Sequence, residues 1–234
     1  GVRLSNNAGN VTFADLDITP DSGERAFYAT DADATAAGAI TTGSGTIAAT
    51  NDVVVEITGQ ATGNRTPLNI QLTSVSANGG ASGLILTNTS SNGSPGGFRI
   101  LGTGSTDGSG GTIQNTTTRG ANINAAVNVV FQNVNFTNAN SSVDGGGAGA
   151  CDDLTITGCN AAIYLNGLTG LATFDNLNLT GTMVENGITA IGVANFKFDN
   201  SVIDGAGNEA HESGIDAQNL SGTATVNNTE IRFS

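Results

Sequence analysis

Residues 172–180 read Ala-Thr-Phe-Asp-Asn-Leu-Asn-Leu-Thr, and residues 196–203 read Phe-Lys-Phe-Asp-Asn-Ser-Val-Ile. In both, apolar or small side chains hold the first, third, sixth and eighth places: Ala172, Phe174, Leu177 and Leu179, then Phe196, Phe198, Ser201 and Ile203. Alternation puts the first two of each set on one face of an extended strand. The extra residue before the third shifts the phase, so the chain must bend there to keep the same kind of side chain pointing inward. A helix would need a period of about 3.6 and a flat strand an unbroken period of about 2. The stretch therefore encodes two short strands joined by a corner.

The pattern recurs along the chain. It appears as Val11, Phe13, Leu16, Ile18; as Ile70, Leu72, Val75, Ala77; and as Val129, Phe131, Val134, Phe136. Further copies are Gly149, Cys151, Leu154, Ile156 and Ala224, Val226, Thr229, Ile231. The first two intervals between copies are more than twice as long as the later ones and are read as two coils each, with Val55-Glu56-Ile57 matching Ala121-Asn122-Ile123. A second strand follows in most coils, as in Phe27-Tyr28-Ala29, Leu84-Ile85-Leu86, Ile163-Tyr164-Leu165, Ile188-Thr189-Ala190 and Ile215-Asp216-Ala217. Such recurrence is the mark of a solenoid. The expectation is an all-β chain forming one parallel β-helix domain over residues 1–234, with roughly eight to nine coils and a length of about 40 Å. The corner residue, just before the third apolar place, is Asp15, Ser74, Asn133, Asp153, Asn176, Asn200 and Asn228 in turn. Asn carries a donor and an acceptor on one side chain and tolerates a left-handed backbone, so copies stacked at the strand spacing can satisfy one another.

Composition agrees with many tight turns and a slender core. The 234 residues include 34 Gly, 3 Pro and no Trp, and only 12% are charged. Low charge and few prolines argue against disorder. A net charge of −13 with seven Lys+Arg excludes a dominant basic patch, so no nucleic-acid partner is expected. No apolar run is long enough to span a bilayer, so no membrane insertion is expected. The chain starts at Gly1 and both ends fall near strands; the reading is a part of a longer solenoid, continued by further coils or by like subunits. Cys151 and Cys159 form a disulfide or serve as two small core residues.

The coil pattern, with Phe-Asp-Asn-Leu-Asn-Leu-Thr at 174–180 and Asn-Leu-Ser-Gly-Thr-Ala-Thr-Val at 219–226, resembles the pectin-lyase-like parallel β-helix superfamily. More narrowly it is similar to β-helix repeat regions of large secreted or surface-attached bacterial proteins. The corner column resembles the asparagine ladder of such folds. The resemblance implies a single-stranded right-handed helix and an extracellular or cell-surface location. It specifies fold better than function, since this architecture hosts lyases, hydrolases, tailspikes and adhesins.

Three constellations carry candidate chemistry. Asp152, Asp175 and Asp199 share one position of three coils, a carboxylate row suited to a hard cation such as Ca²⁺; no cofactor is otherwise required. The loop from Asp204 to Glu212 holds the single histidine, His211, between Glu209 and Glu212, which reads as an exposed acidic loop or an acid–base pair. Asp152-Asp153 resembles the Asp pair of polygalacturonases, yet that family's Gly-His-Gly, Arg-Ile-Lys and Asn-Thr-Asp signatures are missing; Lys197 beside Asp175 and Asp199 is the most lyase-like set. The leading expectation is a non-catalytic structural or adhesive module whose partners are carbohydrate or other surface molecules. A carbohydrate-active lyase or hydrolase is the alternative, and a self-assembling fibre or tailspike the third.

Overall fold

The computed structural model describes residues 1–31, 37–61, 63–142, 156–208 and 212–233. Among them, twenty-four strands, numbered along the chain, fall into three sheets in which every pairing is parallel. Sheet A stacks β1 (Val2–Ser5), β3 (Phe27–Thr30), β6 (Val55–Thr58), β9 (Ser82–Thr87), β13 (Arg119–Asn124), β16 (Ala161–Asn166), β19 (Asn186–Ile191) and β22 (Ile215–Gln218). Sheet B stacks β2 (Val11–Phe13), β4 (Ile40–Thr42), β7 (Thr66–Leu72), β11 (Gly97–Ile100), β14 (Val127–Gln132), β17 (Thr169–Asp175), β20 (Phe196–Asp199) and β23 (Thr225–Asn227), with β10 (Thr89–Ser91) also on β7. Sheet C stacks β5 (Thr46–Thr50), β8 (Ser74–Asn78), β12 (Thr112–Gln114), β15 (Asn135–Thr137), β18 (Asn178–Met183), β21 (Val202–Ala206) and β24 (Glu230–Arg232). The chain visits A, B and C in turn and then starts the next rung. This is a parallel β-helix. The described residues contain no helix.

The inward alternation read from the sequence builds the core. In sheet A one column runs Val2, Phe27, Val55, Leu84, Ala121, Ile163, Ile188 and Ile215. In sheet B, Ile100, Phe131, Phe174, Phe198 and Val226 share a column. The Phe131 ring meets Phe174 edge-on at 5.5 Å and lies 6.4 Å from both Phe98 and Phe136. Such aromatic pairs add stabilisation beyond the area they bury.

Two copies of the repeat depart from the pattern. β14 pairs directly with β17 and β15 with β18, so sheets B and C leave no rung between them for the copy read at Gly149, Cys151, Leu154 and Ile156. The other is the first copy. Phe13 lies level with Thr42 and Ile70, and Ile18 with Ile47 and Val75. The first copy is thus displaced by two residues from the alignment that pairs Phe13 with Leu72. A slip of two keeps every side chain on its own face, so alternation alone is blind to it.

The corners are defined by backbone conformation more than by one residue type. Between sheets B and C, Asn133, Asn176, Asn200 and Asn228 have φ of 60°, 55°, 51° and 47°. A second left-handed series lies between sheets A and B and includes Asn88, Ala125, Gly167, Gly192 and Asn219, each following a register-matched strand end. A third, at the end of sheet C, includes Asn51, Asn115 and Asn138. A fourth alternates Asn128, Gly170, Asn195 and Gly222. Here alternation has a steric cause: a Cβ at Gly170 would fall 2.2 Å from the Asn128 Oδ1, and one at Gly222 would fall 2.3 Å from the Asn195 Oδ1. The Asn side chain reaches into space that only a glycine leaves open.

Candidate functional site

Sheet B places Asp175 and Asp199 side by side in register, with Thr173 and Lys197 as the neighbouring outward pair. Phe196 and Phe198 fill the core while Lys197 and Asp199 face outward. Lys197 Nζ is 2.9 Å from Asp199 Oδ2. The amide of Asn227 donates to Asp199 Oδ1 at 3.1 Å, and the amide of Asn200 donates to Asp175 Oδ1 at 2.8 Å. Both carboxylates thus receive donors from neighbouring residues of the stack. Asp152 and Asp153 lie outside the described residues, and on the other side of Asp175 the column continues through Gln132, so the expected row of three carboxylates is cut to two.

This arrangement bears on both chemistries read from the sequence. A calcium site takes about 6–8 oxygen ligands. Here the two carboxylates spend lone pairs on two amides and an ammonium, and Lys197 already supplies a positive charge. Among the described residues no three His, Cys, Asp or Glu side chains gather as a metal-binding group. A lyase base must give up its proton. The hydrogen bond to Asp199 and that residue's charge, with a smaller contribution from Asp175, instead hold the Lys197 ammonium above the usual lysine range. The pair is built to keep a proton.

The corner residues named by the sequence divide into two groups. Asn176 Nδ2 donates to Asn133 Oδ1 at 2.6 Å, and Asn228 Nδ2 donates to Asn200 Oδ1 at 2.9 Å. Between these pairs the stack passes through the Asp175 carboxylate, because Asn200 donates there. Asn133 Nδ2 also donates to the carbonyls of Leu101 and Gly104, which ties the segment between β11 and β12 onto the ladder. Asp15 accepts from Ser44 Oγ at 2.6 Å. Ser74 opens β8 and pairs with Thr46 in the sheet. Neither Asp15 nor Ser74 is among the residues with positive φ.

His211 and Glu209 lie outside the described residues. Of the other two acids of that loop, Glu212 accepts the backbone N–H of Asn208 through Oε2 and Asp204 pairs with Arg232 at 3.5 Å. Cys159 is buried and disulfide-bonded, and the sequence holds one other cysteine, Cys151, outside the described residues.

A cluster on the outer face of sheet A was not found in the sequence. The Arg119 guanidinium lies 3.5 Å from the centre of the Tyr164 ring. It donates to Asn122 Oδ1 at 3.1 Å, to the Cys159 carbonyl at 3.1 Å and to the Thr157 carbonyl at 3.4 Å. The Tyr164 hydroxyl donates to the same Thr157 carbonyl at 3.0 Å. Burial lowers the Arg119 pKa from its ordinary value, opposed by Tyr164. Together the two side chains clamp residues 157–159 against the sheet. Tyr164 is buried under this cation, so its ring is no open platform for a sugar. Only the strand register brings Arg119 beside Tyr164; they are remote in sequence, and no local motif marks them. Nearer the first rung, Arg25 stacks on Tyr28 at 4.9 Å and pairs with Glu56 at 2.9 Å.

Several polar side chains are buried and engaged. Asp31 accepts from the Asn7 N–H and from the Thr66 hydroxyl. Asn140 donates to the Asn186 carbonyl and accepts the Glu185 N–H, while Asn186 donates to the Thr189 hydroxyl. These bonds join one rung to the next or close a turn. Compared with protein-family models, with curated proteins and with solved structures, the chain gives no match in any of the three.

Proposed function

We propose that the chain is a non-catalytic structural or adhesive β-helix module of a secreted or cell-surface protein, related in design to the pectin-lyase-like repeat regions it resembles. The observation that carries this reading is the bonding of its best catalytic candidates. Lys197 is paired with Asp199, while Asp175 and Asp199 accept amide donors from Asn200 and Asn227. Groups held in this way stitch neighbouring rungs together. Partners would be carbohydrate or other surface molecules lying along the polar sides, and further coils or like subunits at the ends.

A polysaccharide lyase or hydrolase is the second reading, favoured by one observation: two carboxylates and an amine meet on one outer face. The test is a panel of polysaccharides scored separately for binding and for cleavage. The structural module binds some without shortening any. Cleavage that disappears in Asp175→Ala or Lys197→Ala would overturn the proposal in favour of the enzyme.

A further inference from the structure

The chain contains four Asn-Gly pairs, Asn78-Gly79, Asn92-Gly93, Asn166-Gly167 and Asn186-Gly187. Such pairs are the sites where an asparagine is most easily lost, because the glycine N can attack the preceding amide carbon with no Cβ in its way. The bond formed is Gly N to Asn Cγ, and the bond broken is Cγ to the amide nitrogen. The N–H proton leaves to solvent base, the nitrogen departs as ammonia, and water then opens the cyclic imide to aspartate or isoaspartate. The attacking nitrogen must be free of its hydrogen bond.

The β-helix engages that nitrogen in three of the four pairs. Gly79 N donates to the Gln114 carbonyl at 2.9 Å, Gly167 N to the Ile191 carbonyl at 2.8 Å, and Gly187 N to the Ser213 carbonyl at 3.0 Å. All three bonds run to the next rung. Asparagine side chains are held as well: Asn78 Oδ1 accepts from the Asn115 amide at 2.8 Å, and Asn186 uses both of its amide atoms. Asn92-Gly93 differs. It lies in the exposed turn between β10 and β11, and among the described residues Gly93 N makes no backbone hydrogen bond. A Cβ placed on Gly93 would meet nothing within 4 Å, so the space the tetrahedral intermediate needs is open. Asn78 is the internal control, since it is also exposed yet followed by a bonded glycine.

We infer that Asn92 is the site of spontaneous deamidation in the folded protein, and that the inter-rung bonds protect the other three pairs. Conversion adds one negative charge and, in the isoaspartate product, an extra backbone atom to this turn. The test is to age the folded 234-residue chain at mildly alkaline pH and to follow all four sites by peptide mass spectrometry, with a parallel sample unfolded in urea. Opening a hydrogen bond with a net worth of about 1.4 kcal/mol corresponds to roughly a tenfold slowing. Asn92 should convert at least ~10-fold faster than Asn78 and Asn166 in the folded chain, with the difference disappearing in urea. Equal rates at Asn78 and Asn92 in the folded chain would overturn the inference. So would a preference for Asn92 that persists in urea, because it would then belong to local sequence.

Discussion

The middle rungs and the first rungs solve the same corner in different ways. In the middle, a single left-handed Asn turns the chain from sheet B into sheet C: β14 ends at Gln132 and β15 begins at Asn135. At the first rung, β2 ends at Phe13 and the next sheet contact is Ile18, so Ala14 to Asp17 make the turn. The short corner keeps two strands close to the axis. Phe131 and Phe136 are fully buried there, whereas Phe13 is only half-buried. The side-chain bonding changes with the geometry. Asn133 and Asn176 bond amide to amide, while Asp15 accepts from the hydroxyl of Ser44. A corner column is therefore a property of backbone conformation, and the amide ladder exists where the left-handed residue allows it.

The largest effect that tests this contrast is on the core. Phe131→Ala should cost about 3–5 kcal/mol in chemical denaturation, because it removes a ring packed among Phe98, Phe136 and Phe174. Phe13→Ala should cost less than about 2 kcal/mol, since part of its surface already faces water. Equal losses would remove the distinction between the two regions.

The corners give the next effect. Asn176→Ala should cost about 2 kcal/mol, combining alanine's poorer tolerance of the left-handed backbone with loss of the bond to Asn133. Asn176→Gly should recover the backbone part but not the side-chain bond. Ser74→Ala, in a strand at the same corner, should change stability by no more than about 0.5 kcal/mol. A large loss at Ser74 would show that the ladder extends further than its backbone conformation indicates.

A gain is expected at Ala125. It holds a φ of 49° in a series otherwise made of Asn and Gly. Ala125→Asn should stabilise by about 1 kcal/mol by accepting the left-handed conformation more readily. A fall in melting temperature for this variant would mean that the series tolerates alanine for a packing reason.

The smallest effect belongs to Lys197. Its pKa is raised by Asp199. A lysine raised on folding contributes stability that is fully present below its unfolded pKa and is lost as pH rises through the folded one. The stability difference between the wild type and Lys197→Gln should therefore persist through neutral pH and shrink as pH rises into the alkaline range, beyond the ordinary lysine pKa. Lys197 is half exposed although Asp199 is largely buried, so the difference is small and falls with added salt. A difference that vanishes near neutral pH would mean that Asp199 no longer holds the proton on Lys197.

By itself the sequence determined the architecture, because alternation broken by one corner residue has few other solutions. Phe174 with Leu177, and Phe198 with Ile203, already place two strands and a bend, and Asn176 and Asn200 already mark where the chain turns. Only the tertiary structure decided the register between rungs, since a shift of two residues leaves every side chain on its own face; that is why the level of Phe13 was not legible. Register in turn decided which polar groups meet. It set Lys197 and Asn227 on Asp199, and it brought Arg119 over Tyr164 from far along the chain. The left-handed columns through Ala125 and Asn128 also became visible only in three dimensions, because what those residues share is a backbone conformation and not a side chain.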